Sequence, residues 1–264
     1  MKKQLFVFLC FGWLMAINTF AQKDIRFINT EKLLSPKEEI ALGKAIRYEA
    51  DFFNRLFPEK TVNIADIKFT VVTGFADLMN MQLQIGSTAH ISSGFFRPMD
   101  SLLVVLKTKK TPSAQFLSTC YHEMAHAFLS LHAGKSYLPP WFNEGLAVYL
   151  ERMSFEKSKI AHQVDETKIK RVKTLIELRD LYLLEFADWD YPQFSTESFS
   201  QENYGYCVGY CMVYFLMQKD EDNAIEIFRD LIGKRSSIKT FNRYYPGGFA
   251  QFEKEFVEYF GKDK

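Results

Sequence analysis

Residues 113–131 read SAQFLSTCYHEMAHAFLSL, and this stretch organises the rest of the chain. No proline or glycine interrupts it. Phe116, Leu117, Cys120, Tyr121, Met124, Ala125, Phe128 and Leu129 spread apolar surface around it, which predicts a mostly buried helix, and Gly134 offers a stop after its last turn. A helix advances about 100° per residue, so His122 and His126 lie on one face a turn apart. Two imidazole nitrogens on that face can reach one metal ion. Glu123 is rotated off the pair by one residue, in position to act on a metal-bound water as general base. A catalytic zinc takes three protein ligands and leaves its fourth position to water, so a third ligand must come from elsewhere in the chain.

Glu144 is the best candidate. It stands in Trp141-Phe-Asn-Glu-Gly-Leu-Ala147, with seventeen residues between it and His126. Pro139 and Pro140 precede it, and Pro140 suits the first position of a second helix that presents Glu144 near its start. The rival is His132, at the offset of the metzincin pattern His-Glu-x-x-His-x-x-Gly-x-x-His. That pattern needs its central glycine to leave the helix in a left-handed conformation, and here the position is Leu129. If the helix continues, His132 points about 120° away from the ligand face. No methionine turn follows downstream. A pair of buried structural histidines is the plainer alternative; the helix context and the acidic third position favour the metal.

His122-Glu123-x-x-His126 followed by Pro140-Trp141-Phe-Asn-Glu144-Gly-Leu-Ala147 resembles the gluzincin metallopeptidases, above all the aminopeptidase N-like group and the small bacterial peptidase MA-like domains. The resemblance implies that His122, His126 and Glu144 bind one zinc ion per chain and that Glu123 activates water. Tyr206-Cys-Val-Gly209 is similar to a Tyr-x-x-Gly helix that follows the metal site in those enzymes, which implies that Tyr206 steadies the oxyanion; Tyr204 and Tyr210 are neighbours that can take the role instead. Two departures limit the transfer. No Gly-x-Met-Glu-Asn segment precedes the motif, so capture of a free substrate amine is unsupported. Val148 stands four residues after Glu144, where a thermolysin-like aspartate would support a ligand histidine, so the partners of the histidines' other ring nitrogens are open.

Lys2 and Lys3 precede an apolar run from Leu5 to Ala16, and Thr19-Phe20-Ala21 supplies small residues at a cleavage site. Residues 1–21 therefore read as a signal peptide, with residues 22–264 exported to the periplasm or the extracellular space and no stable membrane anchor after cleavage. The apolar run is shorter than the roughly 20 residues of a spanning helix. Leu9 before Cys10 argues against lipidation. Cleavage removes two lysines and no acid, leaving 31 basic and 32 acidic residues and a formal charge of −1, so no nucleic-acid partner is implied. Of the remaining cysteines, Cys120 faces away from the metal face, while Cys207 and Cys211 share a helix face. At most one disulfide can form among them, and three buried thiols are the reading preferred over a cysteine cluster behind the site.

Ser35-Pro36-Lys37-Glu38 looks like a capping box opening a helix to about Leu56. Residues 66–72 and 101–106 read as strands, with a further strand and loops in residues 86–96; the resemblance to zincin-like proteins implies that a strand there borders the cleft and pairs with an extended substrate. His90 in that segment reads as a cleft or surface residue. Beyond Glu151 the periodicity predicts helices over residues 168–182, 201–217, 222–232 and 249–259, with Gly247-Gly248 a turn. Residues 187–200 are polar, aromatic and proline-broken, and read as a loop over the cleft.

The expectation is an α+β, zincin-like domain: a small mixed sheet with the active-site helix in an N-terminal α/β lobe of about residues 22–133, and a helical C-terminal lobe of about residues 134–264. The expected activity is zinc-dependent hydrolysis of a peptide or protein substrate, with Glu123 and Tyr206 catalytic. A zinc amide hydrolase acting on cell-wall peptides and a non-catalytic zinc-bound interaction domain are the alternatives.

Overall fold

Strand β1 (Arg26–Ile28) and helix α1 (Pro36–Leu56) open a computed structural model that describes residues 26–28, 33–60, 62, 64–83, 93–155, 160–201 and 203–262. Strand β2 (Lys68–Val72), helix α2 (Phe75–Leu83) and strands β3 (Gly94–Arg97) and β4 (Leu102–Leu106) follow. The sheet order is β1-β2-β4-β3, with β1, β2 and β4 parallel and β3 antiparallel to β4 at the edge. The apolar run of β4 has a simple cause. Leu103 and Val105 join the main core, Leu102 and Val104 pack with Leu78 of α2 and Phe95 on the opposite side, and a strand covered on both faces has no polar position to offer.

Helix α3 (Ser113–Ala133) lies against β3, β4 and α1 and ends at Gly134, whose φ of 63° turns the chain out of the helix. The capping box forms as expected: Glu38 accepts from the Ser35 backbone N–H at 2.7 Å while Ser35 Oγ accepts from Glu38 N. The same carboxylate accepts from Lys107 Nζ at 2.7 Å and Ser113 Oγ at 2.9 Å, which ties the starts of α1 and α3 to the end of β4. Burial alone would raise the Glu38 pKa; Lys107 and the two serines bring it down to about 2.

Helix α4 (Pro140–Glu151) begins at the proline that suits a first helical position. A small β5–β6 hairpin (Met153–Ser154 with Ala161–His162) leads to α5 (Glu166–Leu178), α6 (Leu183–Phe186), α7 (Tyr191–Ser200), α8 (Tyr204–Lys219), α9 (Glu221–Leu231), α10 (Ser237–Tyr244) and α11 (Gly248–Gly261). The architecture is mixed α+β. One continuous apolar core, rich in phenylalanine, includes residues on both sides of Gly134, from Leu42 to Phe260. Among the described residues no helix is long and apolar enough to cross a membrane.

Several expectations need correction. Residues 191–200 are helix α7 and not a loop: Asp190 caps it by accepting from Gln193 N at 2.9 Å, and Pro192 sits in the first turn, where its missing N–H costs nothing. The helix expected over 168–182 runs instead from Glu166, capped by Asp165, to Leu178, where Arg179 turns left-handed at φ 60°. Helix α8 starts at Tyr204, after Asn203 in the same conformation. Strand β2 starts at Lys68 because Asp66 belongs to a 3-10 turn, and β4 starts at Leu102 because Ser101 closes the turn from β3 at φ 53°. Strand β3, Gly94–Arg97, overlaps the last residues of the expected 86–96 segment. Residues 84–92 with His90, and residues 1–21 with Cys10 and the expected cleavage segment, lie outside the described residues.

Candidate metal centre

Helix α3 brings the two histidines together as its period requires, with His122 Nε2 and His126 Nε2 3.1 Å apart. Helix α4 packs across α3 and delivers Glu144, whose Oε2 lies 3.7 Å from His122 Nε2 and 3.5 Å from His126 Nε2. These are the edges expected of a metal site: ligand atoms about 2.0–2.1 Å from a tetrahedral centre are about 3.3–3.4 Å apart. Among the described residues this is the one group of three His, Cys, Asp or Glu side chains close enough to hold an ion.

The far ring nitrogens explain how the two rings are oriented there. His122 Nδ1 donates to Glu151 Oε2 at 2.9 Å. His126 Nδ1 donates to Asn143 Oδ1 at 3.1 Å, and Asn143 is held in that orientation because its Nδ2 donates to Tyr191 Oη at 2.9 Å. With each Nδ1 engaged by its own acceptor, Nε2 is the atom that each ring turns towards the Glu144 carboxylate. Two imidazole nitrogens and one carboxylate oxygen are a donor set that could hold a zinc ion. The field is visible in the ionisation of the site. Burial works against charge on His126, yet the Glu144 carboxylate beside it holds its pKa up at about 9. Burial would raise Glu144, but His126 and His122 bring it below its ordinary value.

Glu151 and Asn143 were not found from the sequence, although a signal for the first exists. Seven residues is close to two full turns, so Glu151 shares a helix face with Glu144 and takes up the supporting place that Val148 cannot fill. Gly94 was also missed. A Cβ there would sit 2.9 Å from the Val104 carbonyl and 3.0 Å from Glu123 Cγ, so the edge strand can lie against Glu123 only as glycine.

Glu123 is 6% exposed and forms part of a cleft of about 480 Å³. Burial, with Glu144 and Glu151 adding to it against the two histidines, raises its pKa. Gly94, Phe95 and Phe96 of β3 border one side of the cleft, and Tyr191 and Tyr206 also line it. Burial and then the Glu144 carboxylate push both phenols up, so each remains a protonated donor. The neighbouring tyrosines are engaged elsewhere: Tyr204 Oη accepts from Tyr182 N, and the buried Tyr210 Oη accepts from Asp165 N at 2.9 Å. His132 lies away from the cluster, stacked on Phe57 at 4.7 Å and donating from Nδ1 to the Phe128 carbonyl. Cys120, Cys207 and Cys211 are free and buried.

Residues 116–237 match the family described as "Protein of unknown function (DUF1570)". The match covers less than half of the chain, from the first turn of α3 to the start of α10, and so takes in His122, Glu123, His126, Asn143, Glu144, Glu151, Tyr191 and Tyr206. No curated protein matches the chain.

Proposed function

We infer that this protein is an exported zinc-dependent metallopeptidase of gluzincin type. The observation that carries the reading is the convergence of His122 Nε2, His126 Nε2 and Glu144 Oε2 in one cleft with the carboxyl group of Glu123. Zinc, when bound by those three residues, supplies a Lewis acid for an amide carbonyl and lowers the pKa of water. The remaining work falls to the chain. Glu123 takes a proton from the attacking water and returns it to the leaving amine nitrogen. Tyr206 donates a hydrogen bond to the oxygen that becomes negative in the tetrahedral intermediate, a charge absent from the bound substrate. Glu151 and Asn143 hold the two imidazoles in the tautomer that leaves Nε2 bare. The edge strand β3 beside the cleft suits a substrate that lies extended and adds to the sheet as a further strand. Export rests on the basic, apolar and small-residue pattern of residues 1–21.

The test is hydrolysis of a random peptide pool by the zinc-loaded protein, with cleavage products read by mass spectrometry, beside Glu123→Gln. The reading expects cleavage in the parent and a loss of at least about 10²-fold in Glu123→Gln, with zinc content retained. Equal turnover in the two proteins, or no cleavage by the parent, contradicts it; the second result favours a zinc-bound interaction domain.

A further inference from the structure

Tyr191 enters the metal cleft from its helical side. It is the first residue of α7, which packs on α8 and α4, whereas β3 borders the cleft from the sheet. The residue is 39% exposed, so a ligand in the cleft can reach it. Its hydroxyl is half used: Asn143 Nδ2 donates to Tyr191 Oη at 2.9 Å, and Asn143 Oδ1 in turn accepts from His126 Nδ1 at 3.1 Å. A phenol has a proton to give as well as lone pairs to offer, and the bond from Asn143 takes only a lone pair. Among the described residues that proton has no acceptor. We propose that Tyr191 is a substrate-binding residue that donates this hydrogen bond to a main-chain carbonyl of the peptide, one other than the carbonyl at the metal centre. The assignment rests on the hydrolase reading above and deepens it by naming a residue that holds the peptide main chain.

Three features carry it. First, β3 is the edge of the sheet, with β4 on its other side. A peptide added to β3 pairs the backbone groups of one of its edges, while the carbonyls of its other edge face away from the sheet. Those carbonyls lose water in the cleft, and a donor on the helical wall offsets that loss. Second, the surroundings of the two cleft phenols place them differently. Beyond burial, the Tyr206 phenol feels the carboxylates of Glu144 and then Glu123, whereas Tyr191 feels Glu144, the bond from Asn143 and then Tyr137. Tyr206 therefore faces the water-activating carboxylate, and Tyr191 stands further along the cleft, beside a carbonyl that is not being attacked. Third, Tyr191 ends a chain of hydrogen bonds that starts on a ligand ring. Each bond in such a chain polarises the next, so positive charge at the His126 ring makes Tyr191 a stronger donor.

The experiment must separate a bond to the peptide from support of Asn143. Cleavage of an acetylated and amidated random octapeptide pool is compared in the parent, Tyr191→Phe, Asn143→Ala and the double variant, each saturated with zinc, with Tyr206→Phe as reference. Binding of the same pool is measured in parallel with Glu123→Gln added to each protein. Tyr191→Phe should lose about fivefold or more in kcat/KM, chiefly through KM, and bind the pool correspondingly less tightly. Tyr206→Phe should instead lose chiefly kcat. About half of the Tyr191→Phe factor or more should survive in the Asn143→Ala background. Asn143→Ser takes the place of Asn143→Ala if that variant does not fold. An effect that vanishes once Asn143 is gone would mean that Tyr191 only props the amide, and overturns the proposal. An unchanged kcat/KM, or a loss confined to kcat, overturns it too, and in all three cases the hydrolase reading stands. If the parent cleaves nothing, the hydrolase reading fails and binding decides. Weaker binding in Tyr191→Phe that persists without Asn143 supports the proposal; equal binding, or no binding at all, overturns it.

Discussion

Glu151 shows how much of a metal site lies beyond its ligands. Its carboxylate is 2.9 Å from His122 Nδ1, and through that bond it sets which nitrogen of the ring keeps its lone pair. Glu151→Gln keeps the shape and removes the charge, and zinc affinity measured against a chromophoric chelator should weaken by about 10–100-fold with helical content unchanged. An affinity equal to the parent's would show that the ring is oriented without it. A different residue makes a prediction about stability. Glu49 on α1 is 1% exposed, and neither carboxyl oxygen has a hydrogen-bond partner among the described residues. Burial pushes its pKa well above 4.5, so the folded chain holds a proton that the unfolded chain releases as pH rises through 4.5. Folding therefore becomes costlier above that pH. Glu49→Met, of similar shape, should stabilise the protein at pH 7 by roughly 1–3 kcal/mol and by less at pH 4, read from urea midpoints. A variant less stable than the parent at pH 7 would refute this. At this scale the His-Glu-x-x-His spacing was legible because a helix period alone places its members. Asn143 and Gly94 were not, because each owes its role to a contact between elements, and Glu151 was marked only by its two-turn offset from Glu144.

At the scale of elements, the crossing of α4 and α8 decides whether Glu144 and Tyr206 reach the same cleft. Two glycines meet there. A Cβ on Gly209 would lie 2.8 Å from the Trp141 carbonyl, and one on Gly145 would run into the backbone of Gly209 itself. The Asn-Glu-Gly and Tyr-x-x-Gly segments, read in the sequence as separate motifs, are thus the two faces of one helix contact. Gly209→Ala must push the helices apart, and a cost of about 1–3 kcal/mol is expected, seen as a fall of roughly 3–10 °C in the thermal midpoint. A midpoint equal to the parent's would show that the helices are free to separate without loss. The helices themselves were readable from their apolar period, and α1 and α4 begin where Ser35 and Pro140 said they should. Helix α7 was not, because Tyr191-Pro192 reads as a break until Asp190 is recognised as its cap. The misplaced ends of α5 and α8 have a related cause, since Arg179 and Asn203 turn left-handed without being glycine.

For the molecule as a whole, a mixed α+β architecture follows from β-branched runs before residue 107 and helical periods after residue 113. The strand order does not, because β1 pairs with residues 68–70 across the whole of α1. That sheet serves the centre in two ways: β4 and β3 support α3 from below, and β3 supplies one border of the cleft. The helices after Gly134 supply the other components, from Glu144 to Tyr206, and the continuous core joins both sets. Everything proposed for the cleft depends on one property, the capture of a single zinc ion by His122, His126 and Glu144. Metal content of the purified protein by mass spectrometry, beside Glu144→Gln and His132→Ala, measures it directly. About one zinc per chain in the parent and in His132→Ala, with loss in Glu144→Gln, is the result expected. No zinc in the parent after exposure to it, or zinc lost in His132→Ala and kept in Glu144→Gln, would contradict the account.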